Sequence, residues 1–153
     1  MPASSFPYRL EDLIPHRPPM VLLDEIVSFD ESDRSLVAAT TAREEWSENW
    51  AAIEYMAQAA AALAGVFDRM ENPSSPAKPG FLLGTRKLTL DLPRFEVGKR
   101  YLVTVRNEFF DDETASFACE IRDGDAVVAS AILNAYRPSD IGAFLESQRR
   151  RSI

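Results

Sequence analysis

A single histidine and a single cysteine stand in the 153 residues of this chain. One cysteine makes no internal disulfide, so Cys119 carries no signal of an oxidising compartment. One His and one Cys also leave no Cys/His zinc site within a chain. Glycine is scarce, six residues, and none falls in a phosphate-cradling loop, a dinucleotide fingerprint or a serine nucleophile elbow. Basic residues are outnumbered, 17 Lys and Arg against 24 Asp and Glu for a net charge of −7, which argues against general attraction to nucleic acid or an anionic membrane. Long apolar runs are missing too. The opening MPASSFPYRLEDLIP is broken by Arg9, Glu11 and Asp12 and has no signal-peptide core. The most apolar stretch, from Trp50 to Phe67, contains Glu54 and Gln58 and falls short of the roughly 20 unbroken apolar residues of a membrane span. The expectation is a soluble, cytoplasmic protein with no metal, no cofactor and no membrane span. If it performs imidazole acid–base chemistry, His16 must do it.

What is present is ordinary for a globular protein: 46% hydrophobic and 27% charged residues. The length suits one domain over 1–153, with a core over about 8–137 and a tail or short helix over 138–153. A short helical turn is expected over 8–15, ending at Pro15, and Pro18 and Pro19 then set an extended approach to a strand from Met20 to Phe29. The Asp30–Asp33 turn joins it to a second strand, Ser35 to Thr41. A charged lead-in over 42–49 precedes one long Ala-rich helix, about Trp50 to Met70, with Ser47 and Asn49 as candidate N-caps. Turn and breaker residues from Asn72 to Gly80 end it. Strands follow at Phe81–Leu92, Arg100–Phe109, Thr114–Arg122 and Ala126–Tyr136, the last two joined through Asp123-Gly124. A hairpin, one helix and four more antiparallel strands make an α+β pattern in which the sheet must cover the helix. Ala57, Ala60, Ala61 and Ala64 lie at helical spacing and suggest a helix held close inside a curled sheet; an ordinary surface helix is the alternative.

Glu54 stands out, set among Trp50, Ala51, Ala52, Ile53, Tyr55, Met56 and Ala57, with Gln58 one turn on. A carboxylate in so apolar a setting is a candidate general acid or base. Equally, it could face solvent in the first turn, favoured there by the helix dipole. His16 sits in the proline-braced Leu13-Ile-Pro-His-Arg-Pro-Pro-Met20, which suits a held catalytic imidazole and a structural turn alike. Gly84, in Gly80-Phe-Leu-Leu-Gly84, offers a backbone N–H with no Cβ in the way of a substrate carbonyl, or is simply strand geometry.

Three segments carry a resemblance. Leu13-Ile-Pro-His-Arg-Pro-Pro-Met-Val-Leu-Leu-Asp24 resembles the opening motif of the 3-hydroxyacyl-[acyl-carrier-protein] dehydratases, Ile53-Glu-Tyr-Met-Ala-Gln58 the part of their central helix that bears the catalytic carboxylate, and the stretch from Gly84 to Gly98 their following strand and turn. The segments keep the family's order over roughly residues 10–137, and the subgroup most similar is that of aryl-polyene-type biosynthetic clusters. The resemblance implies a hot-dog fold, a long central helix wrapped by a curled antiparallel sheet. It implies Glu54 as the acid, with Gln58 and Gly84 contacting substrate. It also implies an acyl carrier protein or coenzyme A thioester as substrate. A homodimer or higher oligomer is expected, or a mixed assembly with another hot-dog subunit. One departure matters. Fatty-acid-type members carry their catalytic His in a Gly-His-Phe-Pro-Gly-like segment just before the helix, whereas Ala42–Trp50 here has neither His nor Gly.

Dehydration needs a base at C2, an acid at C3 and donors to the thioester oxygen. The first expectation is therefore that Glu54 protonates the leaving hydroxyl, His16 takes the α-proton, and N–H groups at the helix start and Gly84 hold the carbonyl. A hot-dog acyl thioesterase working from Glu54 alone is the alternative, and a non-catalytic carrier-binding module is a third. An acidic carrier protein needs a local basic patch on a −7 protein; Arg86, Lys87, Arg94, Lys99, Arg100 and the Arg149–Arg151 tail are the candidates.

Overall fold

The computed structural model describes residues 7–77, 80–111 and 113–136, with Glu146 and Arg149. The expected C-terminal helix or tail over 138–153 lies outside the described residues apart from those two, which are helical and ion-paired at 2.8 Å. A short helix α1 (Leu10–Leu13) leads to strands β1 (Leu23–Asp30) and β2 (Ser35–Thr41). A 3₁₀ turn over Glu44–Trp46 precedes the long helix α2 (Ala51–Glu71), and β3 (Phe81–Leu90), β4 (Arg100–Phe110), β5 (Thr114–Asp123) and β6 (Ala126–Tyr136) complete the chain. All pairings are antiparallel, in one six-stranded sheet of order β1-β2-β4-β5-β6-β3. This is the hot-dog fold, with α2 laid along the concave face.

Local chemistry explains the turns. Asp30 accepts hydrogen bonds from Ser32 Oγ at 2.9 Å and the Asp33 N–H at 3.1 Å, closing the β1–β2 hairpin. Gly124 opens the two-residue β5–β6 loop at φ 59°, a conformation costly for a side-chain-bearing residue. On the concave face β4 alternates, with Tyr101, Val103 and Val105 buried. Tyr55 of α2, Phe95 of the β3–β4 loop and Tyr101 stack edge to face with ring centroids 5.1 and 5.0 Å apart. That cluster fixes the start of α2 against the sheet.

Two local expectations fail. Neither Ser47 nor Asn49 caps α2: the N-cap is Trp50, with no side-chain cap bond. Ser47 Oγ instead donates to the Glu44 carbonyl at 2.8 Å and accepts from Arg94, and Asn49 Nδ2 reaches the Leu92 carbonyl. The helix starts from a preceding tight turn, so the N–H groups of Ala51, Ala52 and Ile53 bond the carbonyls of Glu48, Asn49 and Trp50 at 3.0–3.2 Å. The small-residue stripe is also misplaced. Ala57, Ala61 and Ala64 are only half-buried, while Ala51, Ala52, Ala59 and Ala62 line the sheet-facing side with Ala60. The closest approach comes at Gly65, where a Cβ would sit 3.0 Å from Leu13 Cα and closer still to the Leu13 carbonyl oxygen. Gly65 thus lets α1 lie directly on α2.

Candidate active site

The docking of α1 on α2 delivers the segment after it, Ile14–Leu22, to the first turns of the long helix. Side chains from distant positions then fasten that segment's backbone. Gln58 is fully buried, 0% exposed. Its Oε1 accepts the Leu22 N–H at 2.9 Å, and its Nε2 donates to the Met20 carbonyl at 2.7 Å. Those two backbone partners fix which way the amide points, because one can only donate and the other only accept. The Nε2 therefore has a second proton to give, and Glu54 Oε1 receives it at 3.2 Å. Thr40, also fully buried, donates to the Leu22 carbonyl at 2.6 Å. Arg17 donates to the carbonyls of Ile14 and His16 at 3.2 and 2.8 Å.

The result is that His16 and Glu54, 38 positions apart by number, come together: Nε2 lies 3.8 Å from Glu54 Oε1. Both side chains are partly open, 28% and 32% exposed, so the pair can meet a substrate. Nδ1 of His16 is buried with no hydrogen-bond partner among the described residues, and Nε2 is the ring nitrogen turned toward Glu54. Glu54 is neither sealed in the core nor fully solvated; the first-turn position and the apolar surroundings both hold. Tyr55, next along the helix, is no rival base: burial pushes its phenol up to about 12, and its hydroxyl donates to the Trp46 carbonyl at 2.6 Å.

Gln58 is brought to the pair, though as a fastener of backbone and carboxylate. Among the described residues no hydrogen bond ties Gly84 to the pair; it lies in the edge strand β3, pairs with Asn134, and a Cβ there would meet no atom within 4 Å. The helix-start N–H groups expected to hold a thioester carbonyl are already engaged in the turn bonds described above. Of the basic candidates, Lys99 is paired with Asp123 at 2.6 Å and Arg100 with Glu25 at 3.0 Å, whereas Arg86 and Lys87 are exposed on β3. Arg94 is exposed and donates to Ser47 Oγ at 2.6 Å; Arg150 and Arg151 lie outside the described residues. Thr40 and Arg43 also bond this segment, to the carbonyls of Leu22 and of Pro19 and Val21; sequence reasoning passed over both, since these partners are backbone groups far away in the chain.

With this geometry in place, comparison with known families is decisive: the profile of the ApeP-like family, described as ApeP dehydratase, matches residues 8–146. The chain belongs to the ApeP-like dehydratases. Among solved structures, a chain of the dehydratase heterocomplex ApeI:P from Xenorhabdus doucetiae is similar at 25% identity and a TM-score of 0.79, covering 90% of this chain and 95% of that one. An HP0420 homologue from Helicobacter felis shares the fold at 12% identity and a TM-score of 0.62, covering 86% and 89%. A hypothetical thioesterase from Streptococcus pneumoniae, solved with coenzyme A, does so at 12% identity and 0.55, covering 74% and 84%. At those identities the last two speak for the hot-dog fold alone. Comparison with curated protein sequences gave no match. This ApeP-like dehydratase therefore keeps a His and a carboxylate side by side although the segment before its helix has no histidine.

Proposed function

We propose that this protein removes water from a 3-hydroxyacyl thioester to give the 2-enoyl thioester, with Glu54 and His16 as its acid–base pair. The observation that carries the reading is the 3.8 Å separation of His16 Nε2 and Glu54 Oε1. In the reacting state His16 Nε2 takes the proton from C2, and the protonated Glu54 gives its proton to the departing 3-hydroxyl. After the water leaves, the imidazolium and carboxylate face each other, and the proton returns across the same short gap to reset the pair. Two groups this close address adjacent carbons from one side, so the elimination is syn. Gln58, whose orientation its backbone partners fix, holds Oε1 of the carboxylate in place.

The thioester oxygen needs donors as the enolate forms, and the helix-start N–H groups are spent. The edge of β3 at Gly84 is our candidate, because an edge strand turns backbone groups outward and the open space over Gly84 admits a second chain or the substrate. β3 also exposes Leu82, Leu83 and Leu88, an apolar edge of the kind that pairs with another subunit. We assign it to a dimer contact with a second copy or with another hot-dog subunit. Arg86 and Lys87, exposed on the same strand, are the basic residues we assign to receive an acidic carrier protein; a carrier-borne acyl chain would place the reaction in the cytoplasm.

Incubating the full chain with a 3-hydroxyacyl N-acetylcysteamine thioester, and following enoyl formation beside free thiol, tests this. Enoyl product without thiol release is expected. Thiol release without enoyl product would overturn the reading in favour of hydrolysis, and neither product would leave only a binding role.

A further inference from the structure

The segment that carries His16 is held almost wholly by side chains. Arg17, Gln58 and Thr40 take the carbonyls of Ile14, His16, Met20 and Leu22, and the Met20 N–H closes a turn onto the Arg17 carbonyl at 2.8 Å. Two further carbonyls of the segment, Pro19 and Val21, both face one more residue. Arg43 Nη2 lies 3.4 Å from the first and 3.1 Å from the second.

Arg43 is well placed to act as a fixed post. It follows β2 by one residue beyond Ala42, whose N–H bonds the Lys99 carbonyl at 3.0 Å and whose carbonyl accepts from Gly98 at 2.8 Å. Its backbone is therefore anchored to the β3–β4 turn, and its guanidinium, half-buried, crosses to the His16 segment. A planar guanidinium loses little freedom when it bonds two carbonyls, which a lysine ammonium on a flexible stem cannot match. Gln58 and Thr40 pin the segment to the core at positions 20 and 22. The fold thus has its own fasteners, and what Arg43 adds is control of the exposed turn at Arg17–Pro19 next to His16.

We infer that Arg43 is a positioning residue for the dehydration: through the Pro19 and Val21 carbonyls it holds the His16 imidazole at the distance from Glu54 that proton transfer needs. The inference rests on the proposed catalytic role of His16. Displacing a reacting group by about 1 Å costs on the order of a hundredfold in rate, so loss of the post acts on the chemical step.

The test uses the full chain and the same N-acetylcysteamine thioester, with Arg43→Met and Arg43→Lys made in the wild type and in His16→Ala. Arg43→Met lowers kcat by roughly 10- to 100-fold with KM nearly unchanged and far-UV dichroism intact. Arg43→Lys, which keeps the charge and one donor, recovers part of kcat. In the His16→Ala background Arg43→Met takes away nothing further, because the group it positions is gone. Arg43→Met at the wild-type rate, or equal losses in both backgrounds, overturns the inference while leaving His16 in its role. His16→Ala at the wild-type rate instead refutes the reading of His16 itself. Should Arg43→Met fail to fold, folded Arg43→Lys decides: kcat lowered at constant KM supports the positioning role, and an unchanged kcat refutes it.

Discussion

Replacing Gln58 with methionine removes three hydrogen bonds while keeping nearly the same volume, and the structure sets the cost. The Leu22 N–H lies in a fully buried contact with Gln58, and an orphaned buried donor costs about 1–3 kcal/mol. The Met20 carbonyl is only part-buried, so water can reach it, and its loss adds about 1 kcal/mol. The Glu54 contact is part-buried as well and weighs more on carboxylate placement than on stability. Together these predict a loss of about 2–4 kcal/mol, or a fall in Tm of roughly 5–15 °C for a chain of this size. Urea unfolding at fixed protein concentration reads it as a lower midpoint with unchanged slope. The rate of dehydration falls by at least about tenfold as well, since Gln58 holds both the carboxylate and the segment after His16. A Gln58→Met protein within about 0.5 kcal/mol of the parent would show that the amide fastens nothing, and the account of the site would lose its keystone.

Gly65→Ala puts a methyl group against the Leu13 carbonyl; forcing α1 away costs about 1–3 kcal/mol and should slow dehydration, both read on the same protein by unfolding and by rate. Burial pushes the Cys119 thiol from 9.0 to about 12 and the Tyr55 phenol from 10.0 to about 12. Both groups are neutral when protonated, and their folded values are raised, so the unfolded chain loses its protons first. The contribution of these two groups to stability is then full below pH 9.0 and is lost as pH rises toward about 12. Cys119→Ala delays the onset of that decline to about pH 10.0, where Tyr55 begins to count; an unaltered alkaline profile in unfolding scans would refute it. Leu83, 62% exposed on the edge strand, is expected to lie in the subunit contact: Leu83→Lys lowers the sedimentation coefficient toward that of a monomer, and unchanged sedimentation argues for a different interface.

Much of the fold could be read from residue order because it rests on local signals. Alternating apolar residues and the Asp30–Asp33 and Asp123-Gly124 turns place β2, β5 and β6 within a residue of their ends. The opening strand starts later than its apolar run suggests, at Leu23, because Met20, Val21 and Leu22 give their backbone groups to Gln58, Arg43 and Thr40. The start of α2 misled for a related reason: Ser47 and Asn49 have capping chemistry, but a preceding turn had already satisfied the helix N–H groups. For the site, Glu54 and His16 were visible as an odd carboxylate and a lone imidazole. Their meeting was not, since it depends on α1 resting on Gly65 and on side chains bonding carbonyls about 20 to 40 positions away. Gln58 entered as a substrate contact through the family resemblance; the partners of its amide, the Leu22 N–H, the Met20 carbonyl and Glu54, could not be read from residue order. Arg43 sat in a charged lead-in that reads as solvated surface, and nothing in its neighbours marked it.

The central claim is that one imidazole and one carboxylate act together on a 3-hydroxyacyl thioester. The most direct measurement is the dehydration rate of His16→Ala, Glu54→Gln and the double variant, each shown to be folded. The account predicts that each single change lowers the rate by about a hundredfold or more, and that the double variant is little slower than the worse single one, because the two groups work as a unit. Wild-type turnover in folded His16→Ala, or losses that simply multiply, would contradict it.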